Sequence, residues 1–156
     1  MLTVPTKPTY RGYSGIGLHL PKNNSNIGSV LRAAGNFGVS MVAVSGKRYS
    51  KAPTDTMKQY RHTPLFQVND LHDLVPYACV PVAVDIIDGA IDLTKYTHPE
   101  RAFYIFGPED GTLGREIIDW CRDVVYVPTN RCMNLAGTVH VVLYDRLAKM
   151  IEAAGR

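Results

Sequence analysis

Long apolar runs are missing from this chain: nowhere in its 156 residues is there anything near the roughly 20 consecutive apolar positions that a membrane-spanning helix requires. The opening Met1-Leu2-Thr3-Val4-Pro5-Thr6-Lys7-Pro8 also lacks the apolar stretch of a secretory signal, so the expectation is a cytoplasmic protein with no membrane partner. Cysteine is scarce and odd in number. Cys79, Cys121 and Cys132 contain no C-x-x-C pair, which argues against a disulfide framework or a zinc site and for reduced thiols. The five histidines, His19, His62, His72, His98 and His140, have no ligand spacing, and no metal is expected. Internal repeats are absent, and charged and apolar residues are interspersed throughout, which excludes disorder and fibrous architectures. What remains is one soluble domain spanning residues 1–156.

Net charge is only +3, so its distribution says more than its total. Residues 47–62 hold Lys47, Arg48, Lys51, Lys58 and Arg61 against one acid, Asp55, a local excess of +4 that exceeds the surplus of the whole chain. A solvated loop is the plain reading of this segment, a phosphate-binding surface the other.

Apolar residues at alternate positions make Ile16 to Leu20 a strand that stops at Pro21. Asn23, Asn24, Ser25 and Asn26 then offer helix caps ahead of Ile27, Val30, Leu31 and Ala34, whose spacing is helical, with Gly35 to Gly38 closing the helix. Val39 to Val44 reads as the next strand. Leu71 to Val75 suits a short helix, Val80 to Ile86 and Ala102 to Phe106 two further strands, Leu113 to Cys121 a helix, and Val124 to Val127 a last strand before Pro128. The chain ends on a helix of roughly 134–153, with Leu135, Val139, Val142, Leu143, Leu147, Met150 and Ile151 along one face. Short buried strands alternating with helices predict an α/β fold, a mostly parallel sheet covered on both faces. Ligands of such sheets bind beyond the carboxyl ends of the strands, which directs attention to the turns at 21–28, 107–114 and 128–137.

The first turn places Asn26 near a helix start and Arg32 about two helical turns later, where a guanidinium suits a phosphate or carboxylate. A capping Asn and a surface Arg explain the same residues equally well. The second, Phe106-Gly107-Pro108-Glu109-Asp110-Gly111-Thr112-Leu113-Gly114, surrounds an acid with glycines between a strand and a helix. It is neither a dinucleotide fingerprint nor a phosphate loop, because no Lys follows the last Gly. The third, from Val127 to Thr138, crowds polar groups between a buried strand and a buried helix. Asn134 there is either a ligand contact or a cap, and Cys132 is better read as a structural thiol than as a nucleophile.

Taken together, Asn26-x-Gly28-x-x-x-Arg32 with Phe37-Gly38, then Phe106-Gly107-Pro108-Glu109 with Gly111 and Leu113-Gly114, then Asn134-Leu135-Ala136 leading to Val141-Val142-Leu143-Tyr144-Asp145, resemble the three motifs of the SpoU-like (TrmH-like) branch of the SPOUT RNA methyltransferases. The resemblance runs from about Gly15 to Ala148. It implies a SPOUT-type α/β knot with a C-terminal trefoil, a homodimer with active sites at the interface, and S-adenosylmethionine as methyl donor. It further implies transfer to a ribose 2'-hydroxyl of RNA, tRNA favoured over rRNA, without a separate RNA-binding domain. Arg32 matches the motif-one arginine, and Asn26, Glu109 and Asn134 the polar residues that shape the catalytic site. Main chain near Asp85, Ile86, Gly107, Val127, Cys132 and Leu135 would cradle the donor, and Lys47, Arg48, Lys51, Lys58 and Arg61 would contact RNA. The chain departs from the pattern at Cys132, where Ser is common, and at Thr129, where Met is usual. Methyl transfer from a sulfonium releases a neutral thioether, so the leaving group needs no proton and the work lies in alignment and removal of the hydroxyl proton. Two other readings compete: an RNA-binding protein that keeps the fold without catalysis, motivated by Cys132, and a nucleotide-binding oxidoreductase, which lacks its fingerprint.

Overall fold

The computed structural model describes residues 10–46 and 48–155. Seven strands are found among them: β1 (Tyr13–Leu18), β2 (Met41–Ser45), β3 (Leu65–Val68), β4 (Val80–Val84), β5 (Ile91–Asp92), β6 (Arg101–Phe106) and β7 (Asp123–Tyr126). They form one sheet in the order β3-β2-β1-β6-β4-β7-β5, and every pairing is parallel. Three α-helices accompany them: α1 (Asn24–Phe37), α2 (Arg115–Ile118) and α3 (Leu135–Ala154).

Parallel strands require crossovers, and the crossovers bury both faces of the sheet. On one face α1 and α3 pack over Ile16, Leu18, Val42, Val44 and Tyr104, using Ile27, Val30, Leu31, Val139 and Val142. On the other, Phe103, Ile105, Ala43 and Ala83 meet Leu71, Leu113 and Ile117, carried by a 3-10 turn at Leu71–Leu74, by the turn before α2 and by the single turn of α2. Each fully buried Val, Leu, Ile or Phe among these contributes roughly 1.5–3 kcal/mol by leaving water.

The caps of α1 follow from its sequence. Asn23 accepts a hydrogen bond from the Ser25 amide at 2.8 Å, and Gly38 ends the helix in the left-handed conformation. Several boundaries differ from the sequence-based expectation. The helix expected from Leu113 to Cys121 shrinks to four residues, because the Leu113 amide is held by Asp85 and belongs to the preceding turn. The strand expected to reach Ile86 stops at Val84, and Ile86 is exposed. Ile151, expected on the buried face of α3, is exposed as well. β3 and β5 were not anticipated. No helix among the described residues is long and apolar enough to cross a membrane.

The C-terminal half of α3 is held by a polar clasp. Arg146, 1% exposed, donates to the carbonyls of Tyr13, Pro99 and Glu100 at 3.2, 2.7 and 2.8 Å and to the Tyr104 hydroxyl at 3.1 Å. His98 lies 2.7 Å from the Tyr104 hydroxyl through Nδ1 and 2.7 Å from Asp145 through Nε2. Lys149 joins Asp145 at 2.8 Å and donates to the carbonyls of Leu93 and Tyr96. A neutral imidazole satisfies this pattern, with Nε2–H donating to the carboxylate and Nδ1 accepting from Tyr104. Burial, aided by the Lys149 and Arg146 charges, outweighs the pull of Asp145 and holds the His98 imidazole below its ordinary value of 6.5.

The unfolded chain therefore binds a proton at His98 near pH 6.5, which the folded chain takes up only at lower pH. Stability contributed by neutral His98 is complete above that value and is lost as pH falls from 6.5 toward the depressed folded value. Denaturant midpoints measured between pH 7.5 and 5 should fall with pH, and His98→Gln should flatten the slope while lowering stability at pH 7.5.

Candidate active site

β1 and β6 are neighbours in register, Leu18 opposite Phe106, so the turns that follow them leave the sheet at the same height. The carboxylate of Glu109 reaches across to the segment entering α1. Its Oε2 accepts from the Lys22 amide at 2.9 Å, and its Oε1 accepts from the Asn23 amide at 3.1 Å and from Asn26 Nδ2 at 2.9 Å. Asn26 passes the connection on: its Oδ1 accepts from Asn134 Nδ2 at 3.0 Å. Asn134 in turn caps α3 by accepting the Gly137 amide at 3.1 Å. One hydrogen-bonded chain thus joins three turns separated by more than 80 residues at the first link and 108 at the second.

Partial burial pushes the Glu109 carboxyl upward, but the donors from Asn26, Lys22 and Asn23 outweigh it and hold the group below the ordinary carboxylate range. The same donors occupy both of its oxygens. Beside it, Lys22 Nζ and Asp110 form an ion pair at 2.6 Å. Asp85 braces the second turn from the other side, accepting the Leu113 amide at 3.0 Å and the Ile86 amide at 2.8 Å. Asp85 and Glu109 therefore fix the two ends of the 107–114 turn.

Next to this chain lies a cleft of about 160 Å³, open to solvent, between the ends of β4, β6 and β7 and the start of α3. All six residues expected around a donor, Asp85, Ile86, Gly107, Val127, Cys132 and Leu135, line it, and Glu109 stands at its edge. Cys132 is an exposed free thiol.

Arg32 is brought elsewhere. Six residues separate it from Asn26, which rotates it about 120° around the helix, and its Nη1 lies 3.4 Å from Thr56 Oγ1. It makes no hydrogen bond or ion pair with Asn26, Glu109 or Asn134. Thr56 belongs to the basic segment, which lies along α1 as a strap in fixed register. Asn24 and Ser50 exchange two hydrogen bonds, and Thr54 Oγ1 donates to the Ser25 carbonyl at 2.6 Å. Two glycines of α1 receive the strap: a Cβ on Gly28 would stand 2.3 Å from Thr54 Oγ1, and one on Gly35 2.5 Å from Gln59 Oε1.

The strap sorts its residues by face. Ala52, Asp55 and Thr63 are buried, and Asp55 accepts the Gln59 amide at 2.7 Å, while Arg48, Lys51, Lys58 and Arg61 are exposed. None of these four, nor Arg32, has an ion pair among the described residues. Lys47 lies outside the described residues. The sequence pointed to Asn26, Glu109 and Asn134 individually, but not to the Lys22 and Asn23 amides or to Thr56. Asn23 was legible as a cap, whereas a main-chain donor and a lone Thr leave no pattern to find.

An all-parallel α/β sheet, with a cleft at its carboxyl edge and three polar turns converging there, defines a ligand-binding domain of the class that works at strand ends. The chain belongs to the SpoU rRNA Methylase family, whose model matches residues 15–144. No curated protein sequence matches it. Among solved structures it is similar to the SpoU methyltransferase AviRb from Streptomyces viridochromogenes, with a TM-score of 0.82 and 19% identity over 94% of this chain and 63% of AviRb. AviRb in complex with AdoMet gives a TM-score of 0.81 and 21% identity over 96% of this chain and 61% of that one. The A. aeolicus TrmH/SpoU tRNA modifying enzyme gives 0.82 and 14% over 93% of this chain and 79% of that one. The chain thus spans about three-fifths of the length of AviRb. At these identities the likeness establishes the fold.

Replacing Asn26 by Asp puts an acceptor where Glu109 needs a donor, and two carboxylates then face each other at hydrogen-bond distance. Asn26→Asp should lose about 1–3 kcal/mol of stability at pH 7 and regain part of it as pH is lowered and the pair takes up a proton. Asn26→Ala should show no such recovery in the same thermal melts.

Proposed function

We propose that this protein is an S-adenosylmethionine-dependent RNA methyltransferase acting on a ribose 2'-hydroxyl, with tRNA favoured over rRNA. The observation that carries the reading is the hydrogen-bonded chain Glu109–Asn26–Asn134, which ties the three family motifs together at the edge of the cleft. The cleft suits the donor chemically. Val84, Ile86, Tyr126, Val127 and Leu135 offer apolar surface for a base, and Gly107 and the strand ends offer main-chain polar groups for an amino acid and ribose. When bound, the donor supplies an electrophilic methyl on a sulfonium.

The protein's own part is alignment. Glu109 has both oxygens engaged and a depressed proton affinity, so it holds the turns in place and does not serve as the base. Asn134 fixes the start of α3 beside the cleft. Arg32, exposed and without an ion pair among the described residues, is suited to hold a phosphate of the RNA, and a guanidinium is a donor and not an acceptor of protons. Arg48, Lys51, Lys58 and Arg61 extend that electropositive surface. The preference for tRNA rests on likeness to the A. aeolicus enzyme and to a structure concerned with 2-OH methylation of C/U34 on tRNA, which has a TM-score of 0.77 and 20% identity over 93% of this chain and 99% of that one.

A homodimer and a C-terminal trefoil knot belong to the same reading, as does a cytoplasmic location. Val141, Tyr144, Ala148 and Ile151 form an exposed stripe on α3 at alternating three- and four-residue spacing, suited to pairing with a second copy. Tyr144→Glu should convert a dimer to a monomer in size-exclusion chromatography with light scattering.

Labelled donor with separate tRNA and rRNA pools, followed by nucleoside mass spectrometry, should yield a 2'-O-methylated nucleoside from tRNA. Label on a base, or no label in either pool, would overturn the reading, and donor binding by calorimetry would separate a methyltransferase from a protein that only binds RNA. Arg32→Ala should abolish transfer and leave donor affinity within about twofold, because Arg32 lies outside the cleft.

A further inference from the structure

The strap does more than add positive charge; it sets a direction. Its residues advance along α1 in step with the helix, from Ser50 at Asn24, through Thr54 at Ser25 and Thr56 at Arg32, to Gln59 beside Gly35. The path starts next to Asn26 and the cleft and moves away over eleven helical residues, about 16 Å, the length of a few nucleotides of single strand. Arg48 and Lys51 stand near its beginning, Arg32 near its middle, and Lys58 and Arg61 near its end.

Two features separate this path from an ordinary solvated loop. The only acid in the segment is turned inward and spent on the amide of Gln59, so the outer face carries cations without compensation. Elsewhere among the described residues, four exposed cations are matched, Arg11 with Glu100, Lys22 with Asp110, Arg115 with Asp119 and Arg122 with Asp123, and the unmatched Lys95, Arg101 and Arg131 are scattered over separate segments. At the edge of the cleft itself the acids are spent on the segment entering α1, Glu109 on the Lys22 and Asn23 amides and on Asn26, Asp110 on Lys22, so neither faces the strap's outer cations as a partner.

We infer that Arg48, Lys51, Arg32, Lys58 and Arg61 form a phosphate rail that carries the RNA backbone along α1 on one side only of the nucleotide at the cleft. This rests on the proposed RNA methyltransferase reading for the identity of that nucleotide. The rail contacts phosphates, so it fixes the position and course of the strand and is indifferent to its bases. Met57, exposed on the same outer face between Thr56 and Lys58, marks an uncharged gap in it.

Phosphate ethylation interference, scored on binding of the full chain to a tRNA pool and then to the methylated species, tests the rail. Interference should fall on one contiguous run flanking the target nucleotide on a single side. Arg48→Ala, Lys51→Ala, Lys58→Ala and Arg61→Ala should each weaken RNA binding severalfold and reduce the log–log salt slope by about 0.7–1, while KM for RNA rises and kcat holds. Loss at the far end of the run is expected for Lys58→Ala and Arg61→Ala, and at the near end for Arg48→Ala and Lys51→Ala. Met57→Lys should tighten binding and steepen the slope, an effect no structural role of the strap would produce. Interference on both sides of the target, or a run untouched by every strap variant, would overturn the rail. A protein that transfers no methyl group yet gives a contiguous run whose two ends respond separately to the strap variants refutes the proposed activity and supports the rail.

Discussion

The carboxylate of Glu109 is the constraint on which the site depends. Its acceptor positions are filled by two main-chain amides from the segment before α1 and by the side chain of Asn26. Each link alone contributes on the order of 0.5–1.5 kcal/mol, and somewhat more where the acceptor is charged. Their greater consequence is geometric. The parallel register of β1 and β6 brings the two turns to the same edge, but it does not determine how the turns lie relative to each other. Glu109 does, and through Asn26 it also determines where the first turn of α3 begins.

A similar economy governs α1. One side of the helix packs on the sheet and on α3; another receives the strap. The helix accepts the strap because Gly28 and Gly35, seven residues apart and so on nearly the same face, have no Cβ to keep it away. Close approach makes the register of the strap definite, and a definite register turns a cluster of charges into an ordered path. Burial of Asp55 completes the arrangement, since an acid facing outward would pair with its neighbours and quench the surface.

The large elements of this fold were legible because their signals are local. The cap at Asn23, the helical spacing of Ile27, Val30, Leu31 and Ala34, the buried run of β6 and the long pattern of α3 each follow from a few adjacent residues. β3 and β5 escaped because they are four and two residues long at the sheet edges, where little burial pressure shapes their sequence. α2 was overestimated because Trp120 and Cys121 extend its apolar pattern after the helix has already turned away. In the site, residue types were readable and their connections were not. Nothing in the order of residues says that Asn26 joins Glu109 and Asn134, or that Arg32 turns to Thr56 and away from both. The charge of 47–62 was visible as a sum, but its sorting into an inner acid and outer cations exists only once the strap is laid on α1.

The two ends of α3 are held by opposite means, and this explains how an exposed site stays ordered. At its C-terminal half, buried Arg146 and neutral His98 satisfy carbonyls and a carboxylate in a medium where leaving any of them unpaired is costly. That clasp fixes the helix axis against the starts of β1 and β6 and against the segment before β6. With the axis fixed, the first turn of α3 has little freedom, so one side-chain amide, Asn134, is enough to set its relation to Asn26 although both are open to solvent. A hydrogen bond between exposed groups is weak when it must hold two mobile elements together. It becomes decisive when the elements are already held from behind and only their last degree of freedom remains to be set.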